Sequence, residues 1–180
     1  MENCGGKWRK TPFTYFSKCS FIFSNGVHMF QGLSVVNIDA KGRLAISAKF
    51  RDIFLRLDRI DLILTLNPWD RSLFLYPIAE WEQIASKIAL LSDFDKGSRR
   101  TKQILTGYAT ECRCDSQGRV LIPSELRSVS DLEKEVILLG QGNKLELWNS
   151  VRWRTECEDW LAGAKEPSGS VAPTLESLSL

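Results

Sequence analysis

The stretch Asp39-Ala40-Lys41-Gly42-Arg43-Leu44-Ala45-Ile46 occurs a second time as Asp115-Ser116-Gln117-Gly118-Arg119-Val120-Leu121-Ile122. Asp, Gly, Arg and Ile keep register between the copies, and Arg51 and Arg127 extend the match downstream. Each copy then runs into an apolar hairpin and a Trp-bearing helix. In the first copy these are Leu62–Leu66, a turn at Asn67–Asp70, Leu73–Tyr76 and then Trp81. Val136–Leu139, a turn at Gln141–Lys144, Leu145–Trp148 and Trp153 form the second. From Asp39 to Trp81 the spacing is 42 residues and from Asp115 to Trp153 it is 38, with the slack in the Leu55–Asp61 loop. A repeat of this kind decides architecture before local propensity does, and it implies two similar modules. A module of this size buries a modest share of its surface, so packing of the two against each other, or of several chains, is expected.

The ends of the chain read differently. Residues 1–28 hold a basic cluster and then the apolar Phe13–Phe23, but Lys18 splits that run and no small-x-small cleavage site follows, which argues against a signal peptide. Met29 is the more economical start, with residues 1–28 as an extension read in frame. Residues 164–180 are rich in Ser, Pro and Gly without a period and read as a disordered tail. The expected division is therefore 1–28, a first module with linker helices over 29–106, a second module over 107–163, and the tail.

Within each module the pattern is α+β. Leu33–Ile38 alternates as a strand, Asp39–Arg43 turns, and Leu44–Ile46 returns, which predicts a local hairpin with the repeated motif at its tip. Gly42 suits a turn position with positive φ, which an L side chain adopts at a cost of about 1 kcal/mol or more. Ser47–Phe54 and Pro123–Arg127 read as matching short helices. Trp81, Ile84, Ala85, Ile88 and Leu91 recur at helical spacing. Ser98 is expected to open a further helix carrying Arg99, Arg100 and Lys102, so that a structured helical linker joins the halves. Asn149 and Ser150 are cap candidates for a closing helix with Trp153, Cys157, Trp160 and Leu161 on one face.

Charge and residue types exclude most chemistry. The net charge is +2, but residues 1–28 carry Lys7, Arg9, Lys10 and Lys18 against Glu2, a balance of +3 that leaves −1 for the rest. That is not a globally basic chain, so any phosphate contact must come from local arginines or from a patch multiplied by oligomerisation. No apolar run approaches the roughly 20 residues of a membrane span, and no membrane partner is expected. Five cysteines cannot close a disulfide framework. Cys112 and Cys114 share a strand face, yet a zinc site would lack its other ligands, since Cys157 lies in a helix and His28 is the sole histidine. Free thiols, and no metal, are expected.

A duplicated Asp invites comparison with proteases that share a proton between two carboxylates, but Arg43 and Arg119 would hold Asp39 and Asp115 ionised. No Ser/His/Asp or Cys/His set can be assembled, and Gly140 and Gly142 lack the Lys-Ser/Thr of a phosphate loop. No catalytic residues and no cofactor are expected. For Arg43 and Arg119 two readings stand together: a local pair with Asp39 or Asp115 that pins the turn, and a guanidinium fork that reaches phosphate or guanine.

The ordered set Met29–Gly32, Asp39–Ile46, Leu75-Tyr76-Pro77 with Glu80-Trp81-Glu82, Gly107–Cys112, Asp115–Arg119 and Val136–Lys144 with Glu146-Leu147-Trp148 resembles the MraZ family of bacterial transcriptional regulators. The resemblance covers about 29–162 and implies an α+β fold of two AbrB-like, swapped-hairpin modules. It further implies a ring homo-oligomer that binds direct repeats in double-stranded DNA upstream of its own operon, the division and cell-wall gene cluster, usually repressing it. A cytoplasmic, nucleoid-associated protein without enzyme activity or small-molecule substrate is implied as well. The family's DNA-facing loops map here onto Lys41, Arg43 and Arg119, with Asp39, Gly42, Asp115 and Gly118 as loop supports. Ser47 stands where the family usually has Pro, which Pro123 keeps, and Gln117 stands opposite Lys41, so that the first module offers more charge. The rival readings are an AbrB-like antitoxin, which would be a dimer of single modules, and a ring scaffold whose Trp-rich helices bind a protein.

Overall fold

The computed structural model describes residues 30–56 and 61–163, so the expectations for 1–28 and for the tail lie outside the described residues. The elements in chain order are β1 (Phe30–Asn37), β2 (Arg43–Ala45), α1 (Ala48–Arg56), β3 (Asp61–Leu66), β4 (Leu73–Pro77), α2 (Ile78–Ala89), α3 (Lys96–Gly107), β5 (Thr110–Arg113), β6 (Arg119–Leu121), α4 (Ser124–Val129), β7 (Glu135–Gly142), β8 (Lys144–Asn149) and α5 (Ser150–Gly163). The fold is thus α+β, with antiparallel strands and five short helices among the described residues.

The first strand of each repeat leaves its own turn. The only β-pairing between the β1 and β2 segments is the isolated bridge Ile38–Leu44, where a local hairpin was expected. Instead β1 runs antiparallel along β7 for its full length, from Phe30 opposite Gly142 to Asn37 opposite Glu135. In the other repeat β5 crosses to β3, with Leu62 opposite Cys112. The short strands β2 and β6 then pair with each other, centred on Leu44 and Val120. A pair of three-residue strands is marginal alone and is held here by packing Leu44 and Val120 into the core, whereas the β3–β4 and β7–β8 hairpins offer long edges to join. The resulting six-stranded sheet has the order β1-β7-β8-β4-β3-β5, and the β2–β6 ribbon forms a separate pair.

Each face of the six-stranded sheet has its own cover. Leu62, Leu64, Leu73, Leu75, Leu138, Leu145 and Leu147 point to one face, where they pack with Leu44 and Val120 of the ribbon, Phe50 of α1 and Leu126 of α4 in one core shared by both repeats. On the opposite face Phe74 and Tyr76 meet Ile88 of α2 and Leu105 of α3. Trp148 on that same face packs at 5.4 Å from Trp153 and 6.4 Å from Trp160, both on α5. The buried Glu146 lies between these covers, its carboxylate accepting from Trp148 Nε1 at 3.0 Å and pairing with Lys144 at 3.5 Å. Burial therefore leaves that charge partnered.

The helix ends follow local chemistry. α3 starts two residues before the expected Ser98, because the Asp95 side chain accepts the Ser98 N–H at 2.6 Å and caps the helix. Its far end is pinned where Thr65 Oγ1 donates to the Leu105 carbonyl at 2.7 Å. Asn149 Oδ1 accepts from Val151 N and Arg152 N at 2.9 and 3.0 Å, which starts α5.

Candidate nucleic-acid interface

Both copies of the repeated loop have the same hydrogen-bonding pattern. Asp39 Oδ1 accepts the backbone N–H groups of Lys41 and Arg43, each at 2.9 Å, and Oδ2 accepts Arg43 Nε at 2.8 Å and faces Nη2 at 2.7 Å. In the other copy Asp115 Oδ1 accepts from Gln117 and Arg119, each at 2.9 Å, while Oδ2 holds Arg119 Nε and Nη2, each at 2.8 Å. The turns close through Gly42 N–H to Asp39 O and Gly118 N–H to Asp115 O, both at 2.9 Å. Gly42 and Gly118 take φ of +82° and +76°, the left-handed region in which a side chain is strained.

The carboxylates hold these loops in their ionised form. The backbone N–H and then the guanidinium of Arg43 pull the Asp39 carboxyl down to about 2. For Asp115 the guanidinium of Arg119 comes first and its backbone N–H second, again lowering it. Hydrogen bonds to a carboxylate favour the charged form, so each loop is a closed ring of Asp and Arg at neutral pH. In both copies one oxygen, Oδ2, receives the guanidinium contacts, on its Nε and Nη2 edge.

The two loops are also joined to each other. Ile46 N–H donates to the Gly118 carbonyl and Ile122 N–H to the Gly42 carbonyl, each at 2.9 Å. Each glycine is then roofed by an arginine from the opposite repeat. A Cβ at Gly42 would lie 3.0 Å from the guanidinium carbon of Arg127, and one at Gly118 would lie 2.5 Å from Cδ of Arg51. Arg127 Nε is steadied by the Ile122 carbonyl at 3.2 Å. Because Leu44 and Val120 point into the core with no exposure, the alternation of the ribbon turns Arg43, Ala45, Arg119 and Leu121 outward. In this register Arg43 and Arg119 are diagonal neighbours on that outer face, with Cα atoms roughly 7–8 Å apart.

Lys41 sits exposed at the tip of the first loop with no ion pair among the described residues. The structure therefore brings Lys41, Arg43 and Arg119 to one side of the molecule, with Asp39, Gly42, Asp115 and Gly118 beneath them. It adds Arg51 and Arg127, which the repeat match singled out without a role. Their crossing to the opposite loop depends on the strand exchange and has no local signature.

Other chemistry is sparse. No group of three or more His, Cys, Asp or Glu side chains comes together for a metal among the described residues. Cys112, Cys114 and Cys157 are free thiols, and burial, then the neighbouring Cys114, pushes Cys112 up to about 12. Burial keeps that thiol protonated at neutral pH, and it packs against the core. Among the described residues no helix is long and apolar enough to cross a membrane.

Comparison with known proteins agrees with the duplication. The family model described as "MraZ protein, putative antitoxin-like" matches residues 29–104 and again 105–163. The protein named "Transcriptional regulator MraZ" from Halorhodospira halophila is 41% identical over 152 residues, covering 84% of this chain and 100% of that one. Its namesakes from Coxiella burnetii, strain Dugway 5J108-111, and Legionella pneumophila, strain Corby, are 43% and 38% identical, with the same shares of each chain covered. Matched twice by the family model and aligned along the full length of these relatives, the chain belongs to the MraZ family.

Proposed function

We propose that this member of the family acts as a transcriptional regulator, as the names of its relatives state, by gripping double-stranded DNA with the paired loops on the β2–β6 ribbon. In this reading Lys41, Arg43 and Arg119 contact the DNA, and Arg51 and Arg127 add positive charge while bracing the opposite loop. Asp39, Gly42, Asp115 and Gly118 hold the backbone in place. The protein would act on direct repeats upstream of its own operon, as a repressor, in a nucleoid-associated ring.

The observation that carries this reading is the joining of two Asp–Arg loops of the same hydrogen-bonding pattern into one outward surface. A guanidinium held on its Nε and Nη2 edge is oriented before it meets a ligand, which reduces the ordering cost of binding. Counting Lys41 and the four arginines against the two aspartates leaves this surface with a balance of +3, although the whole chain is near neutral. About three phosphates neutralised per chain give a salt slope of roughly −2.7 in log K against log salt. Such a chain binds weakly alone, and a ring that sets several copies against repeated sites turns weak contacts into avidity.

Substitution of Arg43 tests the assignment. Arg43→Ala removes a fork contact of about 1–3 kcal/mol, so binding to repeat-containing DNA falls roughly tenfold or more in a gel-shift titration while the oligomer mass stays constant. Unchanged affinity would remove the loop from the DNA interface.

A further inference from the structure

The two halves of the sheet are covered unequally on the face that carries α2, α3 and α5. Matching β3–β4–α2 to β7–β8–α5 sets Leu62 against Val136, Trp81 against Trp153 and Ile88 against Trp160. In the first repeat α3 follows α2 and folds back over the sheet, with Leu105 against the Thr65 hydroxyl, and Ile88 is left 5% exposed. Among the described residues no helix follows α5, and Trp160 is 51% exposed.

The bare half is nevertheless the more apolar one. Under α3 the sheet presents the buried Thr65 on β3, with Ala109 beside it, while Glu111 on the edge strand β5 is exposed. At the matching positions of the uncovered half stand Leu139 on β7 and Leu33 and Val35 on β1. Leu33 pairs with Leu139 and Val35 with Ile137, so all lie on one face. Leu33 is 45% exposed and Val35 56%. Burial within one chain would favour the reverse distribution, with Leu139 and not Thr65 under the helix and a charge like Glu111 where Val35 stands exposed. A cover from outside the described chain fits what is seen.

The same chain carries an unmatched apolar projection. The turn between α2 and α3 presents Leu90 and a fully exposed Phe94, and the Asp95 cap fixes its shape. The α2–α3 hairpin lies over the β4–β3–β5 end of the sheet, and the bare patch lies at the β1–β7 end. Five strand spacings of about 4.8 Å put the two edge strands about 24 Å apart. Phe94 is fully exposed and Leu90 nearly so, so the projection does not meet the patch within one chain.

From this we infer that the β1–β7 patch of Leu33, Val35, Leu139 and Trp160 docks a second copy of this chain through the Leu90–Phe94 turn of that copy's α2–α3 hairpin. The neighbour's hairpin supplies the layer that α3 supplies internally in the first repeat. The contact joins unlike surfaces, so it propagates head to tail and closes as a ring when the rotation closes. The inference deepens the ring reading and names its contact.

Cross-linking in the full chain tests the contact. Val35 is replaced by p-benzoylphenylalanine, isotopically light and heavy chains are mixed, and the cross-linked peptides are mapped by mass spectrometry. Light-to-heavy cross-links from position 35 to residues 90–96 are expected. Cross-links within one chain to residues 164–180 overturn the proposal in favour of the tail as the cover, and cross-links to another part of a neighbour overturn it in favour of a different interface. Phe94→Lys, at a side chain with no neighbours of its own, is expected to reduce the oligomer to single-chain mass with its thermal midpoint unchanged. Full oligomer mass in that variant overturns the proposal. A wild-type chain of monomer mass overturns the ring reading as well, whereas a ring with misplaced cross-links overturns only the docking.

Discussion

Position 66 in the first repeat is a leucine buried in the core, and its counterpart in the second is Gly140. The difference follows from the exchanged strands. β5 has four residues and stops at Thr110, opposite Leu64, so the space beside Leu66 stays open to a side chain. β1 has eight residues and continues past the equivalent point, where Gly32 lies opposite Gly140. A Cβ on Gly140 would come within 2.6 Å of the Phe30 carbonyl carbon and the Gln31 nitrogen. The second repeat has no core side chain at this position, and the strand from the first passes there. A duplicated unit in one chain is thus free to diverge wherever its twin imposes a different neighbour.

Gly140→Ala breaks that comparison most directly, since the obstruction is backbone and cannot swing aside. Overpacking of this kind costs about 1–3 kcal/mol or more, and the loss should appear as a lower urea midpoint with β1 amides exchanging early. Leu66→Ala in the other repeat should cost about 2–5 kcal/mol for the opposite reason, a cavity. A neutral Gly140→Ala would mean that β1 is not tightly seated on β7.

Much of this was readable in the residues, and the exceptions share a cause. The hairpins at 61–77 and 135–149, the helix after each, and the helical linker all rest on local alternation, caps and turns. Partner choice is not local: Leu33–Ile38 and Leu44–Ile46 satisfy a self-contained hairpin and an exchanged one equally well, and only the eight-residue ladder to β7 separates them. The Asp–Arg geometry of each loop was likewise open to inspection, because those contacts lie within five residues. The roofing by Arg51 and Arg127 was not, since it joins residues more than sixty positions apart. Leu33 and Val35 against Ala109 and Glu111 stood in the aligned repeats from the start, but alternation alone does not say which face of a strand will lack a cover.

The loops themselves differ in charge at one outward position, Lys41 against Gln117. Their backbones are held alike, so exchanging these residues changes charge without changing the turn. Lys41→Gln should weaken DNA binding several-fold, about 1 kcal/mol, and flatten the salt slope by about 0.9 per chain engaged. Gln117→Lys should raise affinity and steepen the slope by the same amount. Equal and opposite slopes in a salt titration would show that the two loops approach phosphate equivalently. A silent Gln117→Lys beside a weakened Lys41→Gln would show that the first loop alone makes that contact.

The smallest effect concerns how firmly each loop is closed. Asp39 is lowered from 3.8 to about 2 by the Arg43 backbone and side chain, and Asp115 is lowered with the Arg119 guanidinium as the leading cause. A depressed carboxyl contributes stability that is complete above its unfolded value and disappears as pH falls through the folded one. For Asp39 that window runs from about 4 down to about 2, so acidification from neutrality to pH 5 leaves the loop closed. Carboxyl-carbon NMR shifts should show Asp39 ionised at pH 4 and still partly ionised near pH 2, with Asp115 titrating below the ordinary carboxyl value. Both groups are open to solvent, where salt screens such pairs. Raising the salt should therefore move both titrations toward the ordinary carboxyl value, the more so where a guanidinium and not a fixed backbone N–H is the main partner. That ordering predicts a larger shift for Asp115 than for Asp39, and equal shifts would mean that the two loops are closed by the same balance of contacts.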